Sequence, residues 1–290
     1  MKLGMIGLGR MGGNMAERLR RQGHEVVGFD PHSDKADVSS LEDLVAALDA
    51  PRVVWVMVPS GEPTESTVGA LGGLLAEDDL VIEGGNSNYG DSIRRATELA
   101  AKGIGFIDAG TSGGIWGLDN GYCLMVGGKD EDVAIAQPVF DALAPEGGFA
   151  HVGPVGAGHF TKMVHNGIEY GLMQSYAEGY AILDRSDLGI DVEAALSAWR
   201  NGSVVRSWLL DLLVTALQQE PDLQGITGIA ADSGEGRWTV AEAVRLGVAT
   251  PVISAALFAR FVSQDEEGTP MKVVAALRHQ FGGHAFEKAP

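Results

Sequence analysis

Residues 2–15 read KLGMIGLGRMGGNM, an apolar run that breaks into glycines and resumes as a helix-forming stretch. Gly7, Gly9 and Gly12 stand in G-x-G-x-x-G spacing directly after what reads as a first strand. The first glycine permits a tight turn, the second lets backbone approach a pyrophosphate, and the third lets helix and strand pack closely. The helix that follows offers free N–H groups to phosphate, and Met11 in its first turn is assigned to the same cofactor site. Glycine-rich turns also occur for steric reasons alone, so this reading depends on its surroundings.

Those surroundings repeat one pattern. "EVVGF" (25–29), "RVVWVMV" (52–58), "LVIEGG" (80–85) and "GFIDAG" (105–110) read as further strands, as do "YCLMVGG" (122–128) and "FAHVG" (149–153). Helical stretches between strands imply a parallel, doubly wound α/β sheet of Rossmann type. After the turn-rich "GPVGAG" (153–158) the strand signals stop. Helical patterns such as "YGLMQSYAEGYAILDRS" (170–186), "WLLDLLVTAL" (208–217) and "TPVISAALFARFV" (250–262) take over. The expected organisation is a dinucleotide-binding α/β domain over residues 1–157 and an all-α domain over 158–290, with no internal repeat.

Composition narrows the partners. The chain has 290 residues, 45% of them hydrophobic and 21% charged, with a formal net charge of -18. That charge argues against a nucleic-acid surface, which needs clustered Lys and Arg. It would also repel a small anionic substrate, so a local group of cations must override the global field. Cys123 is the only cysteine, which excludes a disulfide framework and a cysteine-based metal site. The opening "MKLGMIGLG" leaves no room for a signal segment, and no run of eighteen apolar residues occurs. The expectation is a soluble cytoplasmic protein without membrane association.

Asp30 closes the second strand in "VVGFDPHS", where a carboxylate would accept hydrogen bonds from the adenosine ribose hydroxyls. No Arg follows it. A 2′-phosphate there would meet like charge, at about 4 kcal/mol per unit-charge pair 4 Å apart for an effective dielectric of about 20. NAD is therefore expected over NADP, although a strand-end Asp also caps turns.

"KMVHNGIEYG" (162–171) sets Lys162, His165, Asn166 and Glu169 three or four residues apart, with Tyr170 next in line. On a helix these form a stripe about 10 Å long, while Met163, Val164, Ile168 and Leu172 fall mainly on other faces and are expected to pack. A solvated helix face is usually built from Glu, Lys and Arg rather than from one each of five different groups. A Lys and a carboxyl so spaced can serve as base and acid on different atoms of one small substrate if their surroundings tune them toward neutrality.

"GLGRMGGN", "GGNSNYGD", "GTSGG", "KMVHNGIEYG", "GEGRWT", "FARF" and "RHQFGGH" together resemble 6-phosphogluconate dehydrogenase, in the short form of the decarboxylating family. The resemblance runs from residue 1 to about 287, and "KMVHNGIEYG" is its most specific part. It implies that Lys162 is the general base that takes the C3 hydroxyl proton and then, as an ammonium, polarises the 3-keto group so that carbon dioxide can leave. It implies that Glu169 is the acid that protonates the enediol to give ribulose 5-phosphate, without a metal. Ser112, Gly113 and Gly114 would line substrate and nicotinamide, and Asn86 would position the two together. His165 and Asn166 would hold the hydroxyl end, and Tyr170, Arg260 and Arg278 would receive the phosphate, with His284 in the same C-terminal segment. That segment is implied to reach the partner subunit's active site in a homodimer or homotetramer.

Paired Arg forks and a Tyr hydroxyl suit a tetrahedral dianion, and they supply the cations that the global charge demands. Taken apart from the resemblance, Arg260 also reads as a snorkelling residue, and Arg278 and His284 as a solvated tail. His24, His32, His151, His159 and His279 read as structural or surface residues.

The chain departs from the long forms at several points. Ser233 stands where they carry a phosphate-contacting lysine, Ile115 where they carry an acidic residue, and Pro59 where they carry a loop lysine. Asp30-Pro31-His32 replaces their NADP-welcoming Asn-Arg-Thr, and their helical domain is much larger, so substrate affinity, cofactor habit and subunit interface can all differ. Two other readings stand beside this one. A non-decarboxylating NAD-dependent 3-hydroxyacid dehydrogenase would share hydride transfer but not Arg260, Arg278 and Glu169, and a catalytically silent dinucleotide sensor would have little use for Lys162 and Glu169 together.

Overall fold

The computed structural model describes residues 1–282. The order of elements is β1 (Lys2–Ile6), α1 (Arg10–Arg21), β2 (Glu25–Phe29), α2 (Leu41–Ala46), β3 (Val53–Val56), α3 (Glu62–Leu74), β4 (Leu80–Glu83) and α4 (Tyr89–Ala100). There follow β5 (Gly105–Ser112), α5 (Gly117–Asn120), β6 (Cys123–Gly127), α6 (Asp130–Leu143), β7 (Phe149–Gly153) and α7 (Ala157–Asp184). The remainder is helical: α8 (Val192–Trp199), α9 (Trp208–Gln219), α10 (Glu235–Leu246), α11 (Pro251–Ser263) and α12 (Thr269–Gly282). Among the described residues no helix is long and apolar enough to cross a membrane.

The strands form one sheet in the order β2-β1-β3-β4-β5-β6-β7. Strand order reverses beside β1, so the glycine turn after β1 opens at the switch point where such sheets bind ligands. Period-two alternation puts Leu3, Met5, Trp55 and Ile82 on one face, against Phe140 and Leu143 of α6. Ile6, Val54, Val56 and Val81 lie on the other, with Leu44 of α2 and Leu99 of α4. Strands buried on both faces read as unbroken apolar runs, which is why "VVWV" shows no polar alternation.

The sheet is not parallel throughout. β6 runs antiparallel to β5, with Asp108 opposite Gly127 and Ser112 opposite Cys123, and β7 runs parallel to β6. A parallel return needs a crossover of about a dozen residues or more, and the short connection holding α5 makes only a reversal.

The chain separates into two compact units, Met1–His165 and the residues from Asn166 onward. The division falls inside α7, later than the end of the strand signals, because the first turns of α7 pack on the sheet. A Cβ on Gly158 would overlap the backbone of Asp108 and lie 2.6 Å from Met125 O. Asp108 caps this helix start, its two carboxylate oxygens accepting from Gly156 N at 2.6 Å and His159 N at 2.7 Å. Burial holds the Asp108 carboxyl above its usual range, with His159 and these backbone donors offsetting only part of the rise.

The second unit is held by two small clusters. Leu196, Leu210, Val214 and Leu217 gather Tyr176 and Tyr180 of α7. Tyr170, Ala256 and Leu257 gather Met173, Val240 and Phe261. Ser207 accepts from Leu210 N at 3.1 Å as the cap of α9, and its hydroxyl meets Tyr176 Oη at 2.8 Å. Met271, Val273, Val274 and Leu277 on α12 are exposed, as are Phe258 and Val262 on α11.

Candidate active site

The glycine turn has three different glycines. Gly7 sits at φ +90°, and a Cβ there would overlap Met57 O. A Cβ on Gly12 would overlap Gly7 O, so α1 and β1 approach as closely as backbone allows. Nothing lies within 4 Å of a Cβ placed on Gly9, where backbone faces open space. α1 carries no side-chain cap and no acidic residue in its first turn, so the positive end of its dipole is unanswered by protein. Met11 is partly buried against the core behind the turn.

Asp30 does two things. Its Oδ2 accepts from Leu8 N, inside the glycine turn, at 2.8 Å, and its Oδ1 accepts from His32 N at 2.8 Å. It caps a turn and at the same time sets a carboxylate against the glycine loop, with lone pairs remaining for further donors. A dinucleotide fits this unit: open backbone at Gly9, an uncapped helix start for its pyrophosphate, and a carboxylate for its ribose.

Asn86 is exposed on the loop after β4. Ser112 ends β5, and Gly113 (φ +124°) and Gly114 (φ +53°) then take conformations that side-chain-bearing residues rarely adopt. Ser112 Oγ lies 3.4 Å from His165 Nε2. Lys162 is 6% exposed, and a Cβ on Gly110 of β5 would come within 2.5 Å of Lys162 Cβ. The missing side chain at Gly110 is what lets the lysine-bearing turn of α7 lie against β5.

The stripe lies on one unbroken helix, and of the apolar positions expected to pack, Met163 is buried and Val164 half-buried while Ile168 and Leu172 are not. Lys162, Asn166 and Tyr170 are buried, whereas Ile168 (52%) and Leu172 (43%) are exposed. The polar groups face inward because glycines make room for them. A Cβ on Gly236 would stand 2.6 Å from the Tyr170 ring, and one on Gly167 would stand 2.7 Å from Thr239 Cγ2. Glu169 is half-buried.

In the second unit Tyr170 anchors a polar corner. Its hydroxyl accepts from Ser233 N at 2.9 Å and lies 3.2 Å from Ser233 Oγ. The Arg260 guanidinium lies 3.4 Å from the Tyr170 ring centroid and donates to Ala231 O at 2.9 Å. Arg260 is thus held by the Tyr170 ring and by a backbone acceptor. Beside it Arg237 grips Asp232 with Nε and Nη2, both at 2.9 Å, and holds that carboxyl below the usual range. Arg278 is exposed on α12, and His284 lies outside the described residues.

Asp108, Gly110, Gly158 and Gly236 place these groups and went unread in the sequence. The one hint was small residues crowded beside the motifs, in "DAGTSGG" and "GAGHF". Ser92, His159 and Asp108 form a buried Ser-His-Asp cluster, but Ser92 Oγ (2.8 Å) and Asp108 Oδ2 (4.0 Å) meet the same imidazole nitrogen. A catalytic relay needs opposite nitrogens and an accessible serine, so this cluster is structural.

A doubly wound sheet with an open glycine turn at its switch point defines the dinucleotide-binding class of α/β proteins. Residues 2–153 match the NAD binding domain of 6-phosphogluconate dehydrogenase, and residues 158–271 match the 6-phosphogluconate dehydrogenase C-terminal domain. The chain belongs to the 6-phosphogluconate dehydrogenase family. It is 43% identical over 297 residues to the putative 6-phosphogluconate dehydrogenase YqeC of Bacillus subtilis, spanning 99% of this chain and 100% of that one. It is 41% identical to the NAD(+)-dependent, decarboxylating 6-phosphogluconate dehydrogenase of Haloferax volcanii, over 98% of each. The 6-phosphogluconate dehydrogenase of Plasmodium falciparum superposes with a TM-score of 0.84 at 26% identity, covering 100% of this chain and 67% of that one.

Proposed function

We propose that the chain oxidatively decarboxylates 6-phosphogluconate to ribulose 5-phosphate and carbon dioxide with NAD, and that it works in the cytoplasm as a homodimer or homotetramer. The observation that carries this reading is the single helix α7, which holds Lys162 buried against Gly110 and continues through His165, Asn166, Glu169 and Tyr170. When bound, NAD supplies the hydride acceptor. Gly7, Gly9, Met11 and Gly12 would hold its pyrophosphate end, Asp30 the adenosine ribose, and Asn86 the nicotinamide end.

Lys162 takes the proton of the C3 hydroxyl as C3 is oxidised, and its ammonium then donates to the new carbonyl oxygen. That positive charge draws the electron pair of the breaking C–CO2 bond into an enediol. Glu169 returns a proton to the carbon that lost carbon dioxide. His165, tied to Ser112, and Asn166 orient the hydroxyls, while Gly113 and Gly114 leave room for substrate at the end of β5. Tyr170 and Arg260 receive the phosphate together with Arg278 and His284, the last two offered by a partner subunit. Exposed apolar residues on α11 and α12 support an assembled state.

The test is a coupled assay of the purified chain with 6-phosphogluconate and NAD. NADH and carbon dioxide should form in equal amounts. NADH without carbon dioxide would favour a 3-hydroxyacid dehydrogenase, and NAD binding without turnover would favour a sensor.

A further inference from the structure

β4 ends on a buried carboxylate that the proposed reaction does not use. Glu83 has no exposed surface, and Arg95 of α4, 3% exposed, donates to its Oε1 at 2.6 Å. The same oxygen accepts from the Ser87 hydroxyl, itself buried. Arg95 Nε also donates to Glu65 Oε2 of α3 at 2.9 Å, which ties the group to the neighbouring helix.

Gly84 and Gly85 lie between Glu83 and Asn86. A Cβ on Gly84 would overlap the Trp55 indole, and one on Gly85 would stand 2.7 Å from Val58 O, so the loop is pressed onto β3 and the residues after it. Asn88 caps α4, accepting from Gly90 N at 2.9 Å. Asn86 is therefore the exposed residue of a loop whose next side chain, Ser87, is turned inward and fastened. A buried ion pair adds little stability over apolar packing of the same volume, and its best-attested use is to specify one geometry.

We infer that the Glu83–Arg95 pair, acting through the Ser87 hydroxyl, is a positioning device that sets the direction of Asn86. It thereby sets the alignment of substrate with nicotinamide, and the inference rests on the role proposed above for Asn86. Two glycines precede Asn86, and without the fastening at Ser87 the backbone there has many directions open to it. A misplacement of about 1 Å at a reacting centre costs about a hundredfold in rate.

A double-mutant cycle separates positioning from general support. Ser87→Ala should lower kcat about tenfold with little change in KM for NAD, and Ser87→Thr, which keeps the hydroxyl, should recover most of the loss. Asn86→Ala should lose about a hundredfold, and the Asn86→Ala/Ser87→Ala double variant should be no slower than Asn86→Ala alone. Loss of the one buried hydroxyl should lower the melting temperature of the Ser87→Ala proteins by only a few degrees, so that every variant is still folded at the assay temperature. If the two losses multiply, or Ser87→Ala turns over at the wild-type rate, the device is refuted while Asn86 keeps its role. Wild-type turnover by Asn86→Ala would overturn both the device and that role.

Discussion

Lys162 and Asp30 are the residues on which the chemistry and the cofactor choice turn. Lys162→Met removes the amine but keeps an unbranched apolar stem where Gly110 leaves room for it, so the fold should survive. We expect hydride transfer to fall by at least about a thousandfold. The Kd for NAD, followed by tryptophan fluorescence, should stay within about threefold, because no atom of Lys162 belongs to the glycine turn. Asp30 serves both turn and cofactor, so replacing it carries a structural cost: the Asp30→Asn/Pro31→Arg pair keeps one acceptor for Leu8 N and adds a guanidinium for a 2′-phosphate. The ratio of kcat/KM for NADP over NAD should rise at least about tenfold, and a wild-type enzyme already equal with both cofactors would remove the basis for expecting it.

Gly110 and the Glu65 clasp show how elements, not single groups, place the machinery. Gly110→Ala would bring a methyl within 2.5 Å of Lys162 Cβ and 2.8 Å of Gly158 O, backbone that cannot rotate away. Overpacking of this kind costs about 1–3 kcal/mol, and here it lifts α7 from β5. A lowered Tm together with a fall in kcat larger than any change in KM for NAD is the expected result. Along the same face of the sheet, Glu65 of α3 receives Arg94 and Arg95 of α4, and the Arg94 hydrogen bonds hold its carboxyl down to about 2. A depressed carboxylate contributes stability that is present above its ordinary value and is lost as pH falls through the folded one. The clasp should therefore weaken between about pH 4.5 and about pH 2. Its site is 37% exposed, so Glu65→Gln should cost only on the order of 1 kcal/mol at pH 7, with wild type and variant converging as the buffer approaches pH 2. Chemical denaturation across that range measures it.

At the scale of the molecule, the acidic chain must gather cations for a phosphate, and Arg260 and Arg278 lie on different helices. If a partner supplies Arg278, each site needs two chains, and complementation reveals it. Lys162→Ala and Arg278→Ala subunits, each nearly inactive, are refolded together. A heterodimer then holds one intact site, and a statistical mixture should recover roughly a quarter of wild-type activity. Activity at the parental sum, with heterodimers confirmed by mass, would show that Arg278 acts within its own chain or not at all.

Much of this was legible in the chain itself, because it depends on local periodicity. Seven apolar runs became seven strands, the glycine spacing became the turn at the switch point, and the helical spacing of Lys162 to Tyr170 became one helix. Each follows from backbone sterics and burial over a few residues. Tertiary structure alone decided the direction of β6, the inward turn of the polar stripe, the stacking of Arg260 on Tyr170, and the fastening of Asn86's loop through Ser87, Glu83 and Arg95. These depend on which backbone approaches which, at Gly110 against Lys162 or Gly236 against Tyr170. A glycine's partner across a packed interface can lie 52 or 66 residues away, so no spacing within the chain reveals it.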